Sequence, residues 1–511
     1  MPKFAEISHI FNQLPKTIVS EKNQNRPTMT YNYLKRSLSV LAAAAFISMP
    51  SLAETWTIAG TDYESSLATE EKVADGVTHR LYKLDGASKL EVQVIEVDMT
   101  NENVNITTNK ARANNRVCDD AISFKTVGAQ ADELRAEGKE PIVGMNADFF
   151  LTTGNISHQI SDGRFEKFAT LTQKKARPRF YMTSDRQFGM TQYVIRPTVT
   201  VYNEANPEGK EIKDTSVAAI GVGINAGSST FQIFTPAAGR TTGSSNGVEC
   251  YAELVEGELA INGVARFRLL DTVTDEAHSN CNSPLDEHYV LFGLKGLGEN
   301  TLSELKAGDC IEFSLNAENL ETADMKELIG GSLRLLVDGT VPNLTLQGSD
   351  AQTKWEDGNP AGKEPRAGLG YTNDNSKFFM VLVDGRRTGA SEGCTMAQFA
   401  DIIRNVGADN AFNLDGGGSA TMYNALENDV YNWPTDGMNW SAGLKGYMRS
   451  VPNSIWVVKG KSTGVDSPIV NIEDTNAPAE YYNLQGIRVA NPSNGIFIRR
   501  QGSKVTKIAV Q

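Results

Sequence analysis

Histidine is scarce in this sequence, with five among 511 residues, and none lies at metal-ligand spacing or beside a nucleophile motif. The chain also lacks a GxSxG nucleophile elbow and a GxxxxGK[ST] phosphate-binding loop. These absences argue against a serine hydrolase of the common type and against a P-loop nucleotide hydrolase. Any chemistry is therefore expected to depend on carboxylates, amides and arginines.

Cysteine is also sparse, and no CxxC pair is present, so a zinc site is not expected. An odd number of cysteines in an exported chain allows at most two disulfides and one free thiol. Burial of several of them as small hydrophobic residues is at least as good an interpretation. The five residues are Cys118, Cys250, Cys281, Cys310 and Cys394.

No apolar run is long enough to span a membrane. The N-terminal region instead has the pattern of a signal peptide, with Lys35 and Arg36 before the apolar run Leu38–Met49 and small residues up to Ala53. We therefore predict that residues 1–53 are an N-terminal extension and signal peptide. The mature chain is expected in the periplasm, at the cell surface or secreted, with no transmembrane segment.

Positive charge is in deficit: the formal net charge is −13. An acidic excess argues against nucleic acid and against anionic membrane surfaces as partners. The hydrophobic content of 40% and the charged content of 22% are ordinary for a globular protein.

Patterning along the chain predicts an α+β fold, with a mixed β-sheet core, flanking helices, a β-rich middle region and a short C-terminal β tail. An N-terminal β-rich part is expected over residues 54–140, on the alternation seen in Leu90–Val97. The main domain is predicted over 141–460, with a β-rich insertion at about 180–325. Residues 461–511 would form a linker and a tail module.

The segment from Phe378 to Met422 carries the most information. Its apolar runs predict strands at Phe378–Val383 and Ala411–Leu414, and a helix-period stripe between them predicts a helix over Thr395–Val406. Strand, helix and strand with short links form a parallel crossover unit. If the two strands are neighbours, Asp384 and Asp415 lie at the same sheet edge, on the order of 5–10 Å apart.

An anion-binding site is predicted next to these carboxylates. Gly416, Gly417 and Gly418 follow Asp415 and allow backbone N–H groups to face a ligand, while Arg386 can hold a phosphate in a bidentate way. The alternatives are a tight turn without a ligand and a solvated surface arginine. Arg366 follows a rigid proline and is expected to face the same cleft, or else to form a structural ion pair.

A third strand, predicted to end at Asn146, brings Asp148 towards the same region. Phe149 and Phe150 would wall a sugar site or fill the core. Paired carboxylates suit glycoside hydrolysis. Clustered carboxylates would equally suit a calcium ion held by Asp148, Asp384 or Asp415.

The chain resembles the phosphodiester glycosidase family from about Val143 to Val458. The pieces that carry the resemblance are GMNADFF, GGSLRLLVDG, PRAGLGYTND, the segment from Phe378 to Met422, and MRSVPNSIWV. Asp148 departs from the family's usual Asn-Gly-Gly run. The positions that match the family pattern are Asn146, Arg366, Asp384, Arg386, Asn413, Asp415, Gly416, Gly417, Gly418 and Ser419.

The resemblance implies hydrolysis of a sugar-1-phosphodiester at the bond between sugar and phosphate, with release of free sugar. It makes Asp415 and Asp384 candidate catalytic residues and a carbohydrate or sugar phosphate the expected substrate. Asp148, at the position that departs from the family, is a third candidate: it either adds a catalytic carboxyl or only changes the floor of the pocket. No cofactor is expected to be required, with bound calcium as the alternative. The candidate substrate-binding residues are Asn146, Arg366, Arg386, Asn413, Gly416, Gly417, Gly418 and Ser419.

Two other functions remain open at this point. One is a non-catalytic surface protein that binds glycans or cell-wall polymers in the same cleft. The other is a cation-dependent cleavage on the phosphorus side, which would release a sugar phosphate. The segment Tyr481–Gln511 also resembles, over a short length, C-terminal modules of exported Bacteroidetes proteins.

Overall fold

The structure is a computed structural model. It describes residues 54–112, 124–151, 154–169, 177–214, 220–226, 229–236, 242–272, 288–344, 359–460, 480–482, 489, 495–501 and 504–510. The predicted signal peptide, Cys118, Cys281 and the predicted linker at 461–479 lie outside these residues.

The described chain is mostly β-strand. The first strands are β1 (Glu54–Ile58), β2 (Thr61–Ala74), β3 (Val77–Asp85), β4 (Leu90–Asp98), β5 (Val104–Lys110), β6 (Pro141–Asn146), β7 (Phe150–Leu151), β8 (Gly154–Asn155), β9 (Gln159–Ser161), β10 (Arg164–Ala169), β11 (Arg179–Met182), β12 (Phe188–Thr191), β13 (Val194–Asn203), β14 (Asn206–Ile212), β15 (Val222–Ile224) and β16 (Phe231–Phe234).

The later strands are β17 (Gly247–Gly257), β18 (Val264–Leu269), β19 (Tyr289–Leu294), β20 (Cys310–Glu318), β21 (Glu327–Gly330), β22 (Arg334–Leu336), β23 (Arg366–Tyr371), β24 (Lys377–Val383), β25 (Asn410–Asn413), β26 (Met422–Asn424), β27 (Asp429–Val430), β28 (Asn453–Lys459), β29 (Glu480–Tyr482), β30 (Gly495–Gln501) and β31 (Lys504–Val510). The α-helices of the described residues are α1 (Val127–Ala136), α2 (Leu297–Ser303) and α3 (Met396–Val406).

Two sheets face each other at the centre. One has eight strands in the order β1-β2-β3-β4-β24-β23-β25-β22, and the other has five in the order β27-β26-β6-β28-β5. Their facing sides share one core, which contains Leu369 and Met380 from the first sheet and Met145 and Ile455 from the second. Helix α3 covers the outer side of the eight-stranded sheet and α1 that of the five-stranded sheet.

Strand β24 shows why the apolar run after Lys377 is continuous. Phe378, Met380 and Leu382 point into the core between the two sheets, whereas Phe379, Val381 and Val383 point towards α3. Alternate side chains of a strand face opposite sides, so a strand that is covered on both sides needs apolar residues throughout.

Helix α3 begins and ends as its sequence predicts. Thr395 and Gln398 form a capping box, and Gly407 adopts the left-handed conformation at the C-terminal end, with φ 111°. Phe399 and Ile403 are among the buried residues that the helix presents to the sheet.

The crossover unit differs from the prediction in one respect. Strands β24 and β25 are not neighbours, because β23 lies between them and is antiparallel to both. The two strands therefore still run the same way and end at the same edge, but two strand spacings, roughly 10 Å, separate them. Asp384 and Asp415 consequently stand in different surroundings.

Thirteen of the remaining strands form one sheet, in the order β12-β11-β21-β9-β10-β15-β16-β19-β17-β18-β20-β13-β14, and β7 pairs with β8 in a two-stranded sheet. The thirteen-stranded sheet has a large core of its own, which includes Phe168, Phe267 and Phe313. Strands β29, β30 and β31 form a separate three-stranded antiparallel sheet.

The predicted fold class is therefore confirmed only in part. Strands make up 51% of the structure, and in the eight- and five-stranded sheets all the pairings are antiparallel rather than mixed. Helices flank the central sheets, but the described chain is β-rich overall. None of its helices is both long enough and apolar enough to cross a membrane.

Glycines in β23 let α3 approach the sheet. A Cβ atom at Gly368 would lie 2.8 Å from the Phe399 ring and 2.9 Å from the Phe412 carbonyl oxygen. We expect Gly368→Ala to lower the free energy of unfolding by about 1–3 kcal/mol through overpacking. Chemical denaturation measures the change. The exposed substitution Thr69→Ala is the control and should stay within about 0.5 kcal/mol of the wild type; an equal effect of both substitutions would contradict the packing explanation.

Candidate active site

A cleft of about 590 Å³ opens where the central sheets end. One wall is apolar and comes from the segment that follows β6. The lining also carries charged residues and glycines, which come from the loops after β24 and β25, from the segment that enters β23 and from Arg449. The lining residues are Phe149, Phe150, Leu151, Ile156, Asn359, Glu364, Arg366, Arg386, Asp415, Gly416, Gly417, Gly418 and Arg449.

Asp415 is fixed in the cleft through its backbone. Its N–H donates to the carbonyl oxygen of Ala147 at 2.8 Å, and its own carbonyl oxygen accepts from Asn146 Nδ2 at 2.7 Å. The same Asn146 side chain accepts from the N–H of Thr421 at 3.0 Å. Asn146 is fully buried and does not line the cleft, so it holds the glycine turn in place from behind.

The environment of the Asp415 carboxyl favours a proton. Burial raises its pKa to about 7, against the opposing effects of the Ser419 hydroxyl and the Arg449 charge. The nearby charge of Asp148 adds to the rise. A carboxyl with a pKa near neutrality can exchange protons with substrate or water at ordinary pH.

The three glycines are required by close approach and by backbone conformation. A Cβ at Gly416 would lie 2.5 Å from the carbonyl oxygen of Pro365, and Gly417 has a φ of 60°. The Gly417 N–H donates to that same carbonyl oxygen at 2.9 Å, so it is used within the protein. The turn therefore positions Asp415. It also lies close to Arg386, since a Cβ atom at Gly417 would be 3.1 Å from Arg386 Nη2.

Two arginines at the cleft each have a carboxylate partner. Arg386 donates from Nε and Nη2 to Glu364 Oε2 at 3.0 and 2.9 Å. Arg449 binds Asp436 in a bidentate way at 3.1 and 2.8 Å, and also donates to Ser419 Oγ at 3.2 Å.

Glu364, Asp436 and Arg449 were not among the residues predicted from the sequence. Arg449 lies in the MRSVPNSIWV piece of the family resemblance, which was a usable signal. Glu364 and Asp436 lie in loops without periodicity and gave none. Arg449 lowers the pKa of Asp436 through a hydrogen bond, so this pair stays ionised.

Arg366 lies at the back of the cleft and is 3% exposed. Its Nε donates to the carbonyl oxygen of Cys394, and its Nη2 donates to those of Asn359 and Gly362. These bonds tie together the loop that carries Glu364. Arg366 therefore contributes charge and shape to the cleft while much of its guanidinium is bonded to the backbone.

Asp384 does not line the cleft, in contrast to the arrangement expected from the sequence. It is buried, accepts from the N–H of Trp433 at 2.8 Å, and lies 3.3 Å from Arg387. Burial raises its pKa to about 7, with the Arg387 charge opposing. Arg387 also pairs with Glu91 and lies over the ring of Trp433, so Asp384 anchors the loop that leads to Asp436.

Asp148 lies beneath the apolar wall and is 1% exposed. Its carboxyl accepts from the N–H of Ser157 at 2.7 Å and from the Ser157 hydroxyl at 3.3 Å. Burial raises its pKa to about 6, against the Ser157 N–H and the charges of Arg177 and Lys167.

Two other predicted residues lie behind the lining. Asn413 is buried in β25 and donates to Ser332 Oγ at 2.7 Å, so it joins β25 to the loop before β22. Ser419 is buried and links the glycine turn to Arg449. Within the described residues, no three His, Cys, Asp or Glu side chains are grouped closely enough to hold a metal ion.

Residues 272–458 match the family model described as phosphodiester glycosidase. The resemblance recognised in the sequence is thereby confirmed over these residues. The matched segment includes Asp415, Arg386 and Arg449, whereas Asn146 and Asp148 precede it. No curated protein matches the chain.

Solved structures show what the fold is similar to. A hypothetical protein from Synechocystis superposes with a TM-score of 0.52 at 14% identity, over 76% of this chain and 62% of that one. The chain thus spans less than two thirds of the length of that protein, with which it shares a fold.

Two further structures are more loosely similar. A protein described as exported, from Burkholderia pseudomallei K96243, gives a TM-score of 0.49 at 17% identity, over 73% of this chain and 74% of that one. The catalytic domain of zebrafish N-acetylglucosamine-1-phosphodiester alpha-N-acetylglucosaminidase, auto-inhibited by its pro-peptide, gives 0.39 at 14% identity, over 80% and 94%. At these TM-scores neither likeness bears on the geometry of the site.

The raised pKa of Asp148 predicts a pH-dependent stability. The folded protein holds this proton up to about pH 6, whereas the unfolded chain releases it near the ordinary value of 3.8. The protonated carboxyl therefore contributes its full stabilisation below pH 3.8, and this contribution is lost as the pH rises through about 6. Asp148→Asn has no carboxyl to titrate. Between pH 3.8 and about 6, the free energy of unfolding of the wild type should therefore decrease by on the order of 2–3 kcal/mol more than that of the variant. Chemical denaturation at several pH values in this range measures the unfolding free energies of the wild type and of Asp148→Asn. If the two free energies change with pH in parallel, burial does not raise the pKa of Asp148.

Proposed function

We propose that this protein is an exported bacterial hydrolase that cleaves a sugar-1-phosphodiester between the sugar and the phosphate. The products are a free sugar and a phosphomonoester. The observation that carries the proposal is the position of Asp415: this residue, whose carboxyl has a pKa of about 7, lines a cleft together with arginines and aromatic rings.

The arginines suit the phosphate group. Guanidinium groups bind phosphate oxygens through directed, charge-assisted hydrogen bonds. Arg386 and Arg449 line the cleft next to the glycine turn and are partly exposed. A phosphate held in this way is a good leaving group, because the negative charge that develops on its bridging oxygen is already stabilised.

The apolar wall suits the sugar. The ring of Phe149 is held in position by Arg177, whose guanidinium carbon lies 5.7 Å from the ring centroid. Phe150 packs at 5.4 Å against Phe124. Rings fixed in this way offer a flat surface to the C–H face of a sugar while polar groups opposite orient its hydroxyls.

Asp415 would act as the base. Its carboxylate takes a proton from a water molecule as the water oxygen bonds to the anomeric carbon. The bond from that carbon to the phosphate oxygen breaks, and its electron pair stays on the phosphate. The transition state resembles an oxocarbenium ion, which the carboxylate also stabilises by its charge. No cofactor takes part in these steps.

Asp384 and Asp148 receive supporting roles in this proposal. Neither lines the cleft. Asp384 orients the loop that carries Asp436, and through Asp436 it orients Arg449. Asp148 fixes the segment that carries the aromatic wall through its bonds to Ser157.

Conservative substitutions distinguish the roles of Asp384 and Asp415, whose pKa values are both about 7. Asp415→Asn should lower turnover at least a hundredfold, which is the usual scale for a lost acid or base, with little change in melting temperature. Asp384→Asn is the matched control and should change the melting temperature more than turnover. The assay measures free sugar released from an N-acetylglucosamine-1-phosphodiester. Near-normal turnover in Asp415→Asn would remove this residue from the mechanism; binding without sugar release by the wild type would instead indicate a glycan-binding protein.

The pH profile tests the role of Asp415 as a base. A base must be ionised, so kcat/KM of the wild type should rise as the pH increases through about 7 and level off above it. Asp384→Asn should keep this profile, although burial gives Asp384 a similar pKa. A rate that falls through pH 7 would show that the protonated carboxyl is required, and a profile that changes in Asp384→Asn would assign the titration to that residue.

A further inference from the structure

The most exposed apolar side chains of the described residues lie on two loops at the cleft. The three large hydrophobic residues with the highest exposure, 56–64%, are Leu151, Leu444 and Tyr447. Leu151 belongs to the hairpin of β7 and β8 and lines the cleft. Leu444 and Tyr447 lie in the loop between Asp436 and Arg449, which form an ion pair, and Arg449 also lines the cleft. Exposed apolar groups that are concentrated at one place indicate a binding surface.

The apolar wall leads from the interior of the protein to the rim of the cleft. Phe149 is buried, Phe150 is half-buried and Leu151 is exposed. Ile156, which is half-buried, adds a second aliphatic side chain after β8. All the lining residues from this segment are apolar. A ligand whose sugar lies against Phe149 therefore extends past aliphatic side chains as it leaves the cleft.

Tyr447 is held in a fixed position on the second loop. Its N–H donates to the carbonyl oxygen of Asp436 at 2.9 Å. Its ring packs closely on Gly437, where a Cβ atom would lie 2.3 Å from a ring carbon. The pKa of Arg449 is raised by its hydrogen bonds to Asp436 and, to a smaller extent, by Tyr447, whose phenol therefore lies near this arginine. The exposed ring thus stands beside a group that is proposed to bind phosphate.

We propose that the cleft contains a subsite for an apolar aglycone, formed by Leu151 and Tyr447, so that the substrate is a diester of a sugar 1-phosphate with a hydrophobic alcohol. This inference rests on the proposed function, for which it specifies the second alcohol of the diester. Hydrolysis then breaks the bond between the anomeric carbon and the phosphate oxygen. Water supplies the new hydroxyl of the sugar, and the other product is a monoalkyl phosphate.

The side chains of this subsite favour a hydrocarbon over a polar alcohol. Hydrocarbon that covers Leu151 and Ile156 removes apolar surface from water and gains affinity in proportion to the area covered. A sugar alcohol would bring its hydroxyl groups against side chains that neither donate nor accept hydrogen bonds, and losing their hydration is unfavourable. The net charge of −13 disfavours an anionic membrane surface as the occupant. The occupant is therefore the alcohol of one substrate molecule.

Three phosphodiesters that carry the same single charge test the proposal without knowledge of the sugar. They are dimethyl phosphate, methyl hexyl phosphate and the diester of methanol with the 6-hydroxyl of glucose. Ligand-observed NMR on the full chain measures their binding. The wild type should bind methyl hexyl phosphate about tenfold more tightly than either of the other two, because only the hexyl chain covers apolar surface. Leu151→Ser should reduce this preference roughly three- to fivefold and leave the affinity for dimethyl phosphate unchanged.

Two further variants complete the design. Tyr447→Ser should reduce the preference for the hexyl diester in the same direction, and it serves if Leu151→Ser folds poorly. Leu426→Ser removes a leucine that is 51% exposed but lies outside the cleft lining, and it should leave the preference unchanged. The proposal would be overturned by an unchanged preference in folded Leu151→Ser and Tyr447→Ser, by an equal loss in Leu426→Ser, or by a wild type that binds the glucose diester as tightly as the hexyl diester.

This outcome is separate from that of the proposed function. If the hexyl diester is preferred as expected but no sugar is released from any sugar phosphodiester, the hydrolase assignment fails and the apolar subsite stands. If sugar is released but the hexyl diester is not preferred, the hydrolase assignment stands and the apolar subsite fails.

Discussion

The cleft depends on one buried amide. The Asn146 side chain, at the end of β6 in the five-stranded sheet, accepts from Thr421 and donates to the carbonyl oxygen of Asp415, which follows β25 in the eight-stranded sheet. It therefore joins the ends of two facing sheets around the glycine turn. The bond to Thr421 is buried and the bond to Asp415 is partly buried, so losing either would leave a backbone group poorly satisfied. The position of Asp415 relative to Arg386 and Arg449, the arginines proposed to bind phosphate, depends on this link.

Three aspartates with raised pKa values differ in their location: Asp148 and Asp384 are buried, whereas Asp415 is partly exposed and lines the cleft. Burial raises the pKa of Asp148, Asp384 and Asp415 alike, so a perturbed pKa alone does not mark the catalytic residue. Only Asp415 lines the cleft. Asp384 is held between Arg387 and the N–H of Trp433, and Asp148 is held by Ser157; both use their charge to fix loops. Access to the cleft, rather than proton affinity, is therefore the property that distinguishes Asp415, the proposed base, from Asp148 and Asp384.

Much of this arrangement was predictable from the sequence, for identifiable reasons. The capping residues of α3, the apolar run of β24 and the glycine turn are local signals, and the structure contains all three elements. The insertion of β23 between β24 and β25 is a tertiary pairing that no local pattern encodes, since a strand buried on both faces reads alike in parallel and antiparallel sheets. That pairing separates Asp384 from Asp415. The same limit applies to Glu364 and Asp436, which reach the cleft from irregular loops.

The most direct measurement is a crystal structure of the full chain soaked with a sugar 1-phosphodiester that has been made resistant to hydrolysis. The anomeric carbon should lie within reach of a water molecule bonded to the Asp415 carboxylate, with the phosphate against Arg386 and Arg449 and the sugar ring against Phe149. A ligand bound elsewhere, or one whose phosphate rather than anomeric carbon faces Asp415, would contradict the proposed chemistry.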